Sequence, residues 1–184
     1  NAKFKELVNA AHQKGLYVFM DGVFGHFKDN LVASPMGRLP ALTNTCVGSS
    51  GTFAAGAHQK CADYADPASV AFFKEVATHW VTEYKIDGWR LDQAYQVPTA
   101  IWADIRNSVQ SASQSVTYLN QGGASVKPLG HMVAEIWSGE AQIASQAYGP
   151  AASPALLSAF DFPARYRVVQ TLAVEESGEG KQPA

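Results

Sequence analysis

The feature of this sequence that most constrains its fold is an alternation along the chain. Short apolar runs alternate with stretches in which apolar residues recur at the spacing of a helix. The spacing predicts helices at residues 4–14, 67–84, 98–109, 140–147 and 165–174. It predicts strands at residues 16–20, 86–92, 131–137 and 155–160, the first of them buried on both faces. Strand followed by helix, four times over, is typical of a parallel α/β fold.

Acidic residues recur where the predicted strands end. Asp21, Asp92, Glu135 and Asp161 each stand at or just after the carboxyl end of an apolar run. In parallel α/β folds that edge of the sheet carries the active site. A single aspartate there is explained as well by capping of the next helix or turn. Four acids in corresponding places favour a shared site.

One strand combines a cation with an acid. The two-residue period of a strand places Arg90 and Asp92 on the same face. A neighbouring guanidinium favours the ionised carboxylate that a nucleophile needs, although the pair could also be purely structural. Glu135 shares a face with Val133 and Trp137, and we expect these apolar neighbours to raise its pKa. One ionised and one protonated acid is the division of labour in retaining glycoside cleavage.

Composition excludes several classes of partner. Fourteen Lys and Arg residues against sixteen Asp and Glu residues give a net charge of -2, without the basic surface that nucleic acids or anionic membranes attract. No apolar run approaches the roughly 18 residues of a membrane-spanning helix. We therefore expect neither nucleic acid nor membrane as a partner.

Residues 27–65 lack periodicity and are rich in Gly, Ser, Thr, Asn and Pro. A loop of this length inside a compact domain is usually functional or a small subdomain. It contains Cys46 and Cys61, the two cysteines of the chain, which could form a disulfide or remain free thiols. Residues 175–184 are polar, and we expect them to fray.

Four motifs follow one another along the chain. They are Asp-Gly-Val-Phe-Gly-His at 21–26, Ala-Asp-Tyr-Ala-Asp-Pro at 62–67, Gly-Trp-Arg-Leu-Asp at 88–92 and Val-Ala-Glu-Ile-Trp at 133–137. Their order and spacing resemble the conserved regions of the α-amylase family, glycoside hydrolase family 13. The resemblance covers nearly the whole chain. It implies part of a TIM (β/α)8 barrel, about strands three to six, formed by residues 1–26 and 66–174, with residues 27–65 as a short insertion like domain B.

The resemblance also implies roles for the central residues. Asp92 would be the nucleophile, Glu135 the general acid and base, and Arg90 the group that orients the nucleophile. The two carboxyl groups would then face each other at roughly 5–5.5 Å in the intact enzyme.

Further residues match positions around the sugar. Asp21 and His26 correspond to positions that shape or contact the subsite next to the cleaved bond, although either could be structural. Trp137 could offer a stacking face to a sugar ring or could simply pack. Asp161 is assigned no catalytic role.

The sequence departs from the family pattern at three places. Gly25 stands where many members have a calcium-ligating asparagine and offers no side-chain oxygen, so we expect no metal and no cofactor here, with calcium left open only for the parent protein. Tyr95 and Gln96 replace the Lys-His pair common in true α-amylases, which argues against simple endo-acting starch hydrolysis. The family's third catalytic carboxylate is expected beyond residue 184.

We therefore expect the chain to be a fragment of a retaining hydrolase of α-glucosidic bonds. The enzyme would act on α-glucans or malto-oligosaccharides through a covalent glucosyl-enzyme intermediate. The alternatives are a transglycosylase or isomerase of the same family, of the trehalose or isomaltulose synthase type, and a non-catalytic amylase-like binding scaffold. We expect the isolated 184 residues to be inactive and to dimerise or swap through exposed sheet edges.

Overall fold

The computed structural model describes residues 2–28, 31–56 and 60–172. Within these ranges the helices are α1 (Ala2–Gln13), α2 (Pro67–Tyr84), α3 (Thr99–Gln114), α4 (Glu140–Ile143) and α5 (Phe162–Leu172). The strands are β1 (Phe19–Val23), β2 (His26–Phe27), β3 (Leu42–Thr43), β4 (Cys46–Gly48), β5 (Gly51–Phe53), β6 (Lys60–Ala62), β7 (Gly88–Asp92), β8 (Tyr118–Leu119), β9 (Ser125–Val126), β10 (His131–Ala134) and β11 (Ser158–Ala159). A 3₁₀ turn, Ala94–Gln96, follows β7, and a π-helical turn, Ala144–Tyr148, extends α4.

The predicted alternation of strands and helices is confirmed. Strands β1, β7, β10 and β11 form one parallel sheet in that order, with helices between them in the sequence. Asp21 of β1 lies opposite Arg90 of β7, and Arg90 lies opposite Val133 of β10. Within the described residues this sheet is open, with β1 and β11 at its edges, and no closed barrel is seen.

The prediction of a first strand at residues 16–20, buried on both faces, is wrong. The strand begins at Phe19, and the preceding Leu16 and Tyr17 are exposed. The reason is that β1 is an edge strand of the described sheet and pairs only with β7, so the apolar residues at its start are partly exposed.

Helix α2 begins where the sequence indicates. Asp66 is its N-cap, and the Asp66 side chain accepts a hydrogen bond of 2.8 Å from the amide of Ala68. The helix ends at Lys85, whose backbone is left-handed. Helices α2 and α3 pack against each other and against an aromatic core in which Phe24 makes an edge-to-face contact with Trp89.

The long loop folds into small antiparallel sheets. Strands β2, β6 and β3 form one sheet, and β4 and β5 form a hairpin. A disulfide joins Cys46 of β4 to Cys61 of β6, which settles the question that the sequence leaves open. In the ladder between β2 and β6, Cys61 lies opposite His26. The disulfide thus ties the hairpin to the strand beside a candidate site residue.

The second half of the chain differs from the prediction in detail. Helix α3 runs on to Gln114 rather than ending at Val109, and β8 and β9 form a hairpin between α3 and β10. The strands expected at 131–137 and 155–160 are shorter, because the chain leaves the sheet after Ala134 and after Ala159. The expected fraying of residues 175–184 lies outside the described residues. None of the helices in the described ranges has the length and apolarity to cross a lipid bilayer.

Candidate active site

Arg90 lies at the centre of a cluster of acidic side chains. Its Nη1 donates hydrogen bonds of 2.7 Å to Asp21 Oδ1 and to Asp92 Oδ1. Its Nη2 pairs with Glu135 Oε1. One guanidinium therefore contacts acids from three neighbouring strands of the sheet. Burial lowers the pKa of Arg90, but the bonds to the Asp21 and Asp92 carboxylates outweigh it and raise that pKa, so the cation is firmly charged.

The sheet register explains why these groups meet. Arg90 and Asp92 are two residues apart on β7 and project from the same face. Glu135 follows the last residue of β10, and its amide donates to the carbonyl of Leu91 at 3.0 Å. The carbonyl of Glu135 in turn accepts from the amide of Ala94 at 2.9 Å. The carboxyl ends of β7 and β10 are thus bonded together where the acids lie.

The environment of Glu135 is more polar than its sequence neighbours indicate. Its Oε1 accepts a hydrogen bond of 2.9 Å from the indole Nε1 of Trp137, and its Oε2 accepts one of 3.2 Å from the amide of Gln93. Burial raises the pKa of Glu135, but these two hydrogen bonds and the charge of Arg90 together lower it. The prediction of a raised pKa is therefore wrong for this arrangement, because Trp137 acts as a donor rather than as an apolar neighbour.

His26 is buried beside Asp92. Its Nε2 lies 3.9 Å from Asp92 Oδ2, and its Nδ1 lies 2.7 Å from Gln96 Oε1. The structure therefore brings together Asp21, Arg90, Asp92 and Glu135 with His26, although His26 comes from the small sheet and not from the parallel one.

Sequence reasoning missed two glutamines in this cluster. Gln93 has a left-handed backbone, and this directs its amide to Glu135. Its side-chain Oε1 accepts hydrogen bonds of 2.9 Å from Tyr95 and from Gln96 Nε2. Their position in the sequence could have indicated them. Both glutamines follow Asp92 within four residues, and Gln96 is one of the departures from the family pattern.

A cleft of about 620 Å³ opens over the acids. Its lining includes Ser50, Asp92, Tyr95, Glu135 and Trp137. Ser50 belongs to the turn between β4 and β5, so the disulfide-linked hairpin forms part of the wall. A second cleft, of about 690 Å³, lies beside α2 and contains none of the candidate residues. The candidate acids Asp92 and Glu135 thus lie in the first of these clefts.

Comparison with known proteins places this arrangement in a family. No protein-family model matches the chain. A crystal structure of a Glu-to-Gln variant of AmyP with maltotriose is 55% identical, with a TM-score of 0.83 over 98% of this chain and 33% of that one. AmyP with maltose is 57% identical, with a TM-score of 0.79 over 92% and 31%. A cyclomaltodextrinase of Geobacillus thermopakistaniensis is 30% identical over 133 residues, 64% of this chain and 22% of that protein.

The chain belongs to the α-amylase family. It spans about a fifth of the length of this curated relative and about a third of the AmyP structures. The structural neighbours are TIM-barrel amylases of glycoside hydrolase family 13, and this chain corresponds to a part of each. The resemblance read from the four motifs is thereby confirmed at the level of the family.

The position at which many α-amylase family members carry a calcium ligand has no room for one here. A Cβ atom added at Gly25 would lie 2.4 Å from Gln96 Oε1. In the part of the chain that the structure describes, no three His, Cys, Asp or Glu residues are grouped so as to hold a metal ion. Gly25 offers no side-chain oxygen at this position, and the absence of a metal and of a cofactor stays a prediction.

Trp137 packs against its neighbours and is also exposed in the cleft, and its role as a stacking face for a sugar stays a prediction. Its ring lies 4.2 Å from the ring of Phe162, and the Arg165 guanidinium lies 5.6 Å from its centroid. The residue is nevertheless 58% exposed and lines the cleft. Asp161, by contrast, accepts a hydrogen bond of 2.9 Å from the amide of Ala164 in the first turn of α5. Its carboxylate caps this helix.

Proposed function

We propose that this chain carries the nucleophile and the general acid and base of a retaining hydrolase that cleaves α-glucosidic bonds in malto-oligosaccharides. The observation that carries the proposal is the contact of Arg90 with both Asp92 and Glu135 at the carboxyl edge of adjacent parallel strands. The substrate class is supported by the AmyP structures, which hold maltose and maltotriose, and by the name of the cyclomaltodextrinase relative.

In the first step, Asp92 Oδ attacks the anomeric carbon as the glycosidic bond breaks, and Glu135 gives its proton to the leaving oxygen. Arg90 keeps Asp92 ionised by charge and by a hydrogen bond. Glu135 must be neutral to act as an acid. A sugar bound over the cleft removes water from this carboxyl group, and that desolvation favours its protonated form.

In the second step, Glu135 takes a proton from water, and the resulting oxygen nucleophile attacks the glucosyl carbon bonded to Asp92. The ester bond breaks, Asp92 leaves as a carboxylate, and the sugar is released. Two inversions at the same carbon give net retention. In this proposal Asp21, His26 and Trp137 line the sugar subsites, and residues 27–65 take the place of domain B beside barrel strands three to six.

The proposal is tested in AmyP whose matching segment is replaced by residues 2–172 of this chain. A slow fluorosugar substrate should leave a glucosyl label on the peptide that contains Asp92, detected by mass spectrometry, and the first product should be the α-anomer by NMR. D92N should abolish the label, and E135Q should lower turnover by about 100-fold or more. D161N is the matched control and should retain both. Inversion, or a label on another residue, would refute the proposal.

A further inference from the structure

A π-helical turn carries one glutamine to the wall of the cleft that holds the acids. Gln146 lies in the middle of this turn, Ala144–Tyr148, and its half-buried side chain lines the cleft with Glu135 and Trp137. π-helical turns are frequent at functional sites. The turn lies outside the four sequence motifs, so the resemblance to the family gives Gln146 no role.

The backbone on both sides of Gln146 is held in place by hydrogen bonds and packing. The amide of Gly149 donates to the carbonyl of Ala144 at 3.0 Å, and this bond closes the turn. The amide of Leu156 donates to the carbonyl of Ala147 at 3.0 Å, and Ala147 is fully buried. The turn also contacts the 3₁₀ turn that follows β7. Gln146 therefore reaches the cleft from a fixed backbone rather than from a free loop.

The Gln146 side chain is available to a bound molecule. Among the described residues it makes no hydrogen bond, although a carboxamide group both donates and accepts. The hydroxyl groups of Ser50 and Ser138, which also line the cleft, are likewise without a hydrogen-bond partner in the described ranges. Trp137 adds an exposed aromatic face. Amide and hydroxyl groups beside an aromatic ring suit the hydroxyl groups and the apolar faces of a sugar.

The position of Gln146 indicates which part of a substrate lies beside it. Gln146 comes from the segment between β10 and β11, on the Glu135 side of the sheet. Asp21 and His26 are not part of the cleft that it lines. In the proposed function the glucosyl carbon lies at Asp92 and the leaving oxygen at Glu135. The part of the substrate beside Gln146 is then the leaving group.

We propose that Gln146 is a specificity-determining residue that hydrogen bonds to the sugar that leaves. This inference rests on the proposed function and adds to it the nature of the leaving group, which is a sugar with free hydroxyl groups rather than a small or apolar group. The hydrogen bond forms when the substrate binds and persists in the transition state. It therefore acts on KM more than on kcat.

The test compares two leaving groups in the AmyP chimera. Maltotriose has a sugar as its leaving group, whereas α-maltosyl fluoride releases fluoride and places no sugar on the Glu135 side. Q146A and the nearly isosteric Q146M should lower kcat/KM for maltotriose roughly 5- to 10-fold, mainly through KM, and leave kcat/KM for the fluoride unchanged. Q142A and Q142M, at an exposed glutamine of α4 outside the cleft, are the matched controls and should affect neither substrate.

An equal loss on both substrates, or no loss on maltotriose, would overturn the proposal. Q146M keeps the volume of the side chain, so it decides the case if Q146A is unstable.

A second measurement needs no turnover. Calorimetry measures the binding of maltotriose to the chimera that carries D92N, and adding Q146M should weaken this binding roughly 5- to 10-fold. Unchanged binding would overturn the proposal. Inversion, or a label away from Asp92, together with this weakened binding would refute the proposed function and leave the sugar contact of Gln146 standing.

Discussion

Gly25 and Gln96 occupy one packing space beside the carboxyl end of β7: a Cβ atom at position 25 would lie 2.3 Å from the Cβ of Gln96. The first residue immediately precedes His26, and the second hydrogen bonds to it. A side chain at position 25 and a glutamine at position 96 therefore exclude each other. The two departures from the family pattern at these positions are therefore in direct contact.

The substitution G25N should destabilise the chain by about 1–3 kcal/mol, because the new side chain must displace the buried amide. Chemical denaturation of the two proteins measures this difference. In a Q96G background, which removes both the Cβ and the amide of residue 96, G25N should cost less stability. Calcium should not raise the melting temperature of G25N. Equal stability of G25N and the unsubstituted chain would show that the packing is not as tight as described.

Replacing Trp137 by phenylalanine should shift the pH dependence of the proposed reaction. The indole N–H bonded to Glu135 lowers the pKa of that acid, so W137F should raise the pKa while keeping an aromatic ring. The acid form would then persist to higher pH. In the AmyP chimera, the alkaline limb of the pH profile of kcat/KM should therefore move to higher pH. W80F, a change in α2 remote from the cleft, is the control. If the alkaline limb of W137F stays in place or moves to lower pH, the indole of Trp137 does not lower the pKa of Glu135.

The same bond makes a prediction for stability. Because the pKa of Glu135 is lowered in the folded state, its contribution is present above the ordinary value of 4.5 and is lost as the pH falls through the folded value. Urea denaturation should show that W137F loses less stability than the unsubstituted chain over this acid range. An identical acid dependence of the two proteins would argue against the indole bond.

Removal of the disulfide should loosen the wall of the cleft. Cys46 and Cys61 are 15 residues apart, for which loop closure contributes about 3 kcal/mol. The variant C46S/C61S should therefore melt roughly 6–12 °C lower than the oxidised chain. Calorimetry with and without reductant measures the effect, and reductant should not change the variant. Equal melting temperatures of the oxidised chain and the variant would show that other contacts hold the hairpin.

The exposed sheet edges should make the isolated chain self-associate. Val23 on β1 is 43% exposed and Leu157 beside β11 is 56% exposed, and unpaired strand edges are templates for pairing with another chain. Light scattering should give a mass of two or more copies, without turnover of a chromogenic maltoside. V23K and L157K should shift the chain toward the monomer. L119K, on the β8–β9 hairpin, should not, and a monomeric unsubstituted chain would contradict the prediction.

The sequence predicts those features that depend on local period and spacing. The cap of α2 at Asp66 and the shared face of Arg90 and Asp92 follow from neighbouring residues alone, and the structure has both. The bond between His26 and Gln96 joins residues 70 positions apart, so no local pattern indicates it. The lowered pKa of Glu135 is only partly non-local, because one donor is the indole of Trp137, two residues away, and the other is the amide of Gln93 after β7.

Arg90 lies on β7, between β1 and β10, so its ion pairs depend on how these strands are aligned. Its guanidinium contacts Asp21, Asp92 and Glu135, which lie on or next to three different strands. A slip of one residue in the pairing of β7 with β1 or with β10 turns Asp21 or Glu135 to the opposite face of the sheet, and Arg90 then loses one of its three acidic partners. The ion pairs therefore favour the native register of the three strands, so the alignment of the sheet and the grouping of the acids depend on each other.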